Sequence, residues 1–136
     1  MKYISEKLSN ARLEEKQGEK LTGPVRPCFH LTACNGWMND PNGFIYYRGA
    51  YHLFYQYYPD DIVWGPMHWG HAVSKDLLYW EHRKIALYPD ELGYIFSGSC
   101  IYDKENVSGL GTAEKPPLLA FFTHHNPENG RQQQSI

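Results

Sequence analysis

The chemistry of this chain is concentrated in one heptapeptide, Trp37-Met38-Asn39-Asp40-Pro41-Asn42-Gly43. It sets a single carboxyl group, Asp40, between two side-chain amides and follows it with a proline. The proline ring drives the residue before it toward an extended backbone, so Asp40 is held extended. Asn42-Gly43 is turn chemistry. A fixed acid with amide donors and acceptors on both sides suits a polyol, which needs directional hydrogen bonds to its hydroxyls. Taken alone, Asp-Pro-Asn-Gly reads first as nothing more than a turn.

The neighbouring residues change that reading. Upstream stands Arg26-Pro27-Cys28-Phe29-His30-Leu31-Thr32. Downstream come Tyr51-His52-Leu53-Phe54-Tyr55-Gln56, then Trp64-Gly65-Pro66-Met67-His68-Trp69-Gly70-His71, Ser74-Lys75-Asp76-Leu77 and Phe96-Ser97-Gly98-Ser99. In this order and spacing, from Arg26 to the last residue, the chain resembles the glycoside hydrolase family 32 enzymes: invertases, sucrose-6-phosphate hydrolases, levanases and inulinases. The resemblance implies an all-β fold, a five-bladed β-propeller usually followed by a β-sandwich. It implies retaining hydrolysis of β-fructofuranosides. It assigns Asp40 as the nucleophile, and Asn39, Asn42, Gln56, Trp64, Phe96 and Ser97 as substrate-binding residues.

A retaining glycosidase needs two carboxyl groups about 5–5.5 Å apart, one attacking and one protonating the leaving group. The resemblance places the second in a Glu-Cys motif, and a transition-state-stabilising acid in an Arg-Asp-Pro motif. Neither motif occurs in these residues. Glu81, Asp90, Glu91 and Asp103 are carboxylates outside both motifs. The chain alone is therefore expected to be close to inert.

The elements that must position these residues are strands. Phe44–Tyr47 and Tyr51–Tyr57 are β-prone runs around Arg48-Gly49-Ala50. Alternation puts His52, Phe54 and Gln56 on one face and Tyr51, Leu53, Tyr55 and Tyr57 on the other. Neither face is wholly polar, as in a sheet covered on both sides. Further strands are expected at Trp69–Ser74, Trp80–Ala86, Ile95 or Phe96–Tyr102, Leu118–His124 and Arg131–Ile136, with a Gly/Ser/Pro-rich loop over Asp103–Pro117. Four consecutive antiparallel strands make one propeller blade, so the chain is expected to hold the first blade and most of a second. Residues 4–19 read as a short helix with Ile4, Leu8 and Ala11 on one stripe. This gives a lead-in over residues 1–25 and a propeller portion over 26–136.

At 136 residues, 42% hydrophobic and 15% aromatic, the composition is that of a globular domain. A net charge of −2 without a basic block makes nucleic acid and anionic membrane poor partners. The partner expected is a small carbohydrate: sucrose, sucrose 6-phosphate or a fructan end. Cys28, Cys34 and Cys100 do not have zinc-site spacing. His30 and His68 lack a paired-ligand pattern, so neither a metal nor another cofactor is expected. The polar start Met-Lys-Tyr-Ile-Ser-Glu has no apolar core of a signal peptide, which leads to an expectation of the cytoplasm. Two other readings stand beside the enzyme: a non-catalytic sugar-binding or assembly module, and an incomplete gene product.

Overall fold

The structure, a computed structural model, describes Arg26, Pro27 and residues 29–136. The expected helix over 4–19 and Cys28 lie outside the described residues. What is described is all-β, in two antiparallel sheets. Strands β1 (Trp37–Tyr47), β2 (Ala50–Tyr58), β3 (His68–Ser74) and β4 (Glu81–Leu87) form one sheet in chain order. Strands β5 (Tyr94–Tyr102), β6 (Leu118–His125) and β7 (Gln132–Ser135) form the other, also in chain order.

Local sequence explains the connections. Tyr47 pairs with Ala50, so Arg48-Gly49 alone closes the first hairpin, both with positive φ (50° and 83°). That is the backbone sign required by the hairpin turn whose twist matches its strands. After β3, the Ser74 hydroxyl accepts from the Asp76 and Leu77 amides, and Asp76 Oδ1 accepts from Leu78 and Tyr79. Side-chain oxygens here satisfy the backbone that a turn leaves unpaired.

Asp-Pro-Asn-Gly is not the turn expected from its composition. It lies inside β1, in ladder register with Tyr55 and Phe54. β1 is an edge strand, where a proline is tolerated because its missing N–H need not join a ladder. Two register shifts, between Met38 and Pro41 and between Asn42 and Ile45, absorb the irregular residues. Gly43 makes the second possible. Its φ is +50°, and a Cβ there would stand 2.5 Å from Cys100 Sγ on β5.

β2 and β3 carry buried residues on both faces. On one face, Phe54 and Trp69 pack with Ile95 and Phe122 of the second sheet. On the other, Tyr55, Tyr57 and Ala72 pack with Ala33 and Ile85. Arg26 Nη1 donates to Thr32 Oγ1 and the Ala33 carbonyl, both at 2.6 Å, which fixes the segment leading into the first sheet. In the second sheet, buried His124 is bonded to Ser135 of β7 at 2.6 Å and to Asp90 of the β4–β5 connection at 3.2 Å.

Candidate active site

The candidate site forms where β1 of the first sheet meets β5 of the second. Both strands bulge there. Met38 pairs with Tyr57 and Pro41 with Tyr55, so Asn39 and Asp40 together oppose only Gln56. Ile95 pairs with His124 and Gly98 with Phe122, so Phe96 and Ser97 together oppose only Thr123. A bulge of two residues against one twists the strand and re-aims its side chains. Asp40 and Ser97 are the second residues of the two bulges, and they meet. Ser97 Oγ donates to Asp40 Oδ2 at 2.8 Å across 57 residues of sequence.

A bulge takes backbone groups out of the ladder, and buried groups of that kind need other partners. The first sheet and Met67, the residue just before β3, supply them residue by residue. Ile95 N–H donates to the Met67 carbonyl at 2.9 Å. The Ile95 carbonyl accepts from Gln56 Nε2 at 2.9 Å. The Phe96 carbonyl accepts from Trp69 Nε1 at 3.0 Å. Gly98 N–H donates to Asn42 Oδ1 at 3.1 Å. With the Ser97–Asp40 bond, every residue from 95 to 98 is tied to the first sheet. Gly98 must be glycine, because a Cβ there would stand 1.9 Å from the Phe121 carbonyl oxygen.

The residues singled out from the sequence fall into two layers. Asn39, Asp40, Trp64 and Ser97 are exposed and Phe96 is half-buried. Trp37 Nε1 donates to Asn39 Oδ1 at 2.8 Å. An indole is only a donor, so this bond fixes the orientation of the Asn39 amide and leaves its NH2 to donate elsewhere. Trp64 leans edge-on against Tyr94 and Phe96, with ring centroids 6.1 Å apart in each case. On the far side, Phe96 is stacked on His125 at 4.5 Å and 13°. Asn42 and Gln56 lie beneath, 3% and 2% exposed, each with a polar atom committed to β5. Asn42 Nδ2 is buried without a hydrogen-bond partner among the described residues.

Sequence reasoning placed Trp69 in a strand but gave it no part in the site. Its place beside Gln56 comes from the register of β2 with β3. Tyr94 and His125 were also missed. His125 stacks on Phe96 through the pairing of β5 with β6, and Tyr94, two residues before Phe96 on β5, contacts Trp64 and His125. Under the site, burial pushes the Cys100 thiol up to about 11, so it stays protonated at neutral pH and packs as a small apolar group. Among the described residues no cluster of three or more His, Cys, Asp or Glu side chains is placed to hold a metal.

Asp40 is thus an exposed carboxylate at the seam of two sheets, bonded to the Ser97 hydroxyl, with Asn39 beside it on the same bulge. The chain belongs to glycosyl hydrolases family 32: the model of that family's N-terminal domain matches residues 30–136. A levanase of Bacillus subtilis is 60% identical over 111 residues, covering 82% of this chain and 16% of the levanase. A sucrose-6-phosphate hydrolase of Zymomonas mobilis is 56% identical over 114 residues, again 82% of this chain and 20% of its own length. The crystal structure of an exo-inulinase from Aspergillus awamori superposes with a TM-score of 0.76 at 41% identity, over 83% of this chain and 25% of that one. The chain therefore spans about a sixth to a quarter of the length of these relatives.

Proposed function

We propose that the chain supplies the nucleophile-bearing part of a retaining β-fructofuranosidase acting on terminal β-D-fructofuranosides such as sucrose, sucrose 6-phosphate or a fructan end. The observation that carries this reading is the Asp40–Ser97 contact between two facing bulges. Ser97 engages Oδ2 and leaves Oδ1 of Asp40 to attack. In the first step Oδ1 forms a bond to the anomeric carbon, the glycosidic C–O bond breaks, and the leaving oxygen takes a proton from a second carboxylic acid. In the second step water, deprotonated by that same group, displaces Asp40 and releases fructose. Asn39 NH2 donates to a sugar hydroxyl, and Trp64 and Phe96 provide apolar faces for the sugar. The second acid belongs to a part of the enzyme whose motif this chain does not carry. In this reading the four-stranded sheet is the first blade of a five-bladed propeller and the three-stranded sheet is most of the second.

The relatives' names support the substrate class: levanase, fructan beta-fructosidase and sucrose-6-phosphate hydrolase. The test is release of glucose from sucrose and of fructose from levan and inulin by the full polypeptide in which the chain occurs. Asp40→Asn should keep the fold and remove nearly all turnover, since the amide matches the shape but cannot attack as a carboxylate. Normal turnover in that variant would place the nucleophile elsewhere.

A second reading is an assembly module that binds sugar without cleaving it. It is favoured by the exposed apolar residues of the second sheet, Ile101 at 53% and Phe121 at 43%. A soluble oligomer of residues 1–136 that binds fructosides without turnover would select it.

A further inference from the structure

We propose that Trp69 and Asn42 are positioning residues that bracket Ser97 and thereby set the Asp40 carboxylate. This rests on the reading of Asp40 as nucleophile. Ser97 sits between two peptide groups, and each is held from the first sheet. The Phe96–Ser97 peptide is fixed at its carbonyl by Trp69 Nε1, and the Ser97–Gly98 peptide at its N–H by Asn42 Oδ1. A side-chain hydroxyl whose backbone is pinned on both sides has little freedom beyond its own χ1. Its bond to Asp40 Oδ2 is then an outcome of the bracket as much as of the serine.

The two struts suit that task. Trp69 is fully buried and wedged between Phe54 and Phe122, with ring centroids 5.8 and 6.0 Å away. Its indole cannot swing without disturbing the cluster between the sheets. Asn42 is 3% exposed and sits two residues from Asp40 on the same bulged strand. One strand thus carries both the acid and the amide that aligns the acid's partner. β5 cannot supply this alignment through its own ladder, because Phe96 and Ser97 share a single opposite residue on β6. Neither strut reaches the reacting atoms, so each acts through Ser97.

The test is Trp69→Phe, which removes the indole N–H and keeps an aromatic ring, with Asn42→Ala as the second variant. Amide hydrogen exchange of the purified protein should quicken over residues 96–98, while β2 and β6 elsewhere keep their protection. In kinetics on a fructoside, kcat should fall by about 10-fold or more with KM little changed, as for small misplacements of a reacting group. The decisive comparison is a double-mutant cycle with Ser97→Ala. If Trp69 acts through Ser97, adding Trp69→Phe to Ser97→Ala should cost little more, whereas a merely structural role would add in full. Full additivity, or unchanged exchange at 96–98, overturns the bracket. If the unmutated full polypeptide in which the chain occurs turns over no fructoside, the enzymatic reading falls, and the exchange data still decide whether Trp69 and Asn42 hold Ser97.

Discussion

The two faces of the first sheet are built from similar residues and do different work. The face toward the second sheet buries Phe54 and Trp69 around Ile95 and Phe122. Three of its polar groups, Gln56, Asn42 and the Trp69 N–H, reach β5, while His52 and His71 bond each other. The opposite face buries Tyr55 and Tyr57, whose hydroxyls stay close to home: Tyr55 OH pairs with His82 Nδ1 at 3.0 Å on β4, and Tyr57 OH with Asn35 Oδ1. One face uses its hydrogen bonds to locate another sheet, and the other to satisfy phenols that packing has buried. The lesson is that a hydrophobic cluster sets how close two sheets lie, while directional bonds to backbone groups set which residue meets which.

That difference can be broken in order of expected size. Phe54→Ala removes the ring at the centre of the inter-sheet cluster and should cost about 3–5 kcal/mol of stability, read from denaturant unfolding. A loss under about 1 kcal/mol would mean that the second sheet is held by its polar ties rather than by its core. Gln56→Leu keeps the approximate volume but strips the Ile95 carbonyl of the Gln56 donor. It should cost about 1–3 kcal/mol and quicken amide exchange at residues 95–97. Tyr55→Phe, on the opposite face, deletes only a hydroxyl at a partly accessible bond and should cost about 1 kcal/mol. It should leave exchange in β5 and fructoside turnover unchanged. If Tyr55→Phe disturbs β5 as much as Gln56→Leu does, the division of labour between the faces is wrong.

A separate comparison is read in acid, as a slope of stability with pH. Each face carries an imidazole on β3, His68 buried and His71 half-buried. Burial holds His68, on the Tyr55 side, near about 4. Burial holds His71, on the Phe54 side, near about 4 as well, helped by neighbouring His52 and Arg83. His71 is stacked on Phe54 at 4.4 Å and bonded to His52 Nδ1 at 3.0 Å. In the unfolded chain these rings take up protons near the ordinary 6.5; in the folded protein they stay neutral until about 4. Their contribution to stability is complete above pH 6.5 and is lost as pH falls toward 4. Unfolding measured at pH 7.5, 5.5 and 4 should show this slope, flattened in part by His68→Gln and by His71→Gln. Imidazole NMR titrations with midpoints near 6.5 would remove the effect on both faces.

Much of the strand plan was legible. Alternation over Tyr51–Tyr57 separated Phe54 and Gln56 from Tyr55 and Tyr57, and the structure buries both sets. Arg48-Gly49-Ala50 marked the hairpin, one residue longer than the turn, since Ala50 already belongs to β2. Asp103–Pro117 emerged as a loop, closed by the Asp103 N–H on the Pro117 carbonyl at 3.0 Å. The least legible stretch was the one with the most chemistry. Asp-Pro-Asn-Gly has turn composition, yet tertiary packing makes it a bulged edge strand. Turn propensity is a local preference of about a kilocalorie, and the seam with β5 outweighs it.

By itself, then, the sequence determined that one carboxyl group stands between two side-chain amides, and it determined the period-two runs that make strands. These are properties of residues and their near neighbours, and local sterics and side-chain chemistry suffice to fix them. Only the tertiary structure decided that Asp40 meets Ser97, that Gln56 and Asn42 turn inward to hold β5, and that Trp69 belongs to the site. Those contacts join residues 27 to 57 positions apart. They depend on the register of two separate bulges, and register is set by how two sheets pack together, which no local pattern encodes.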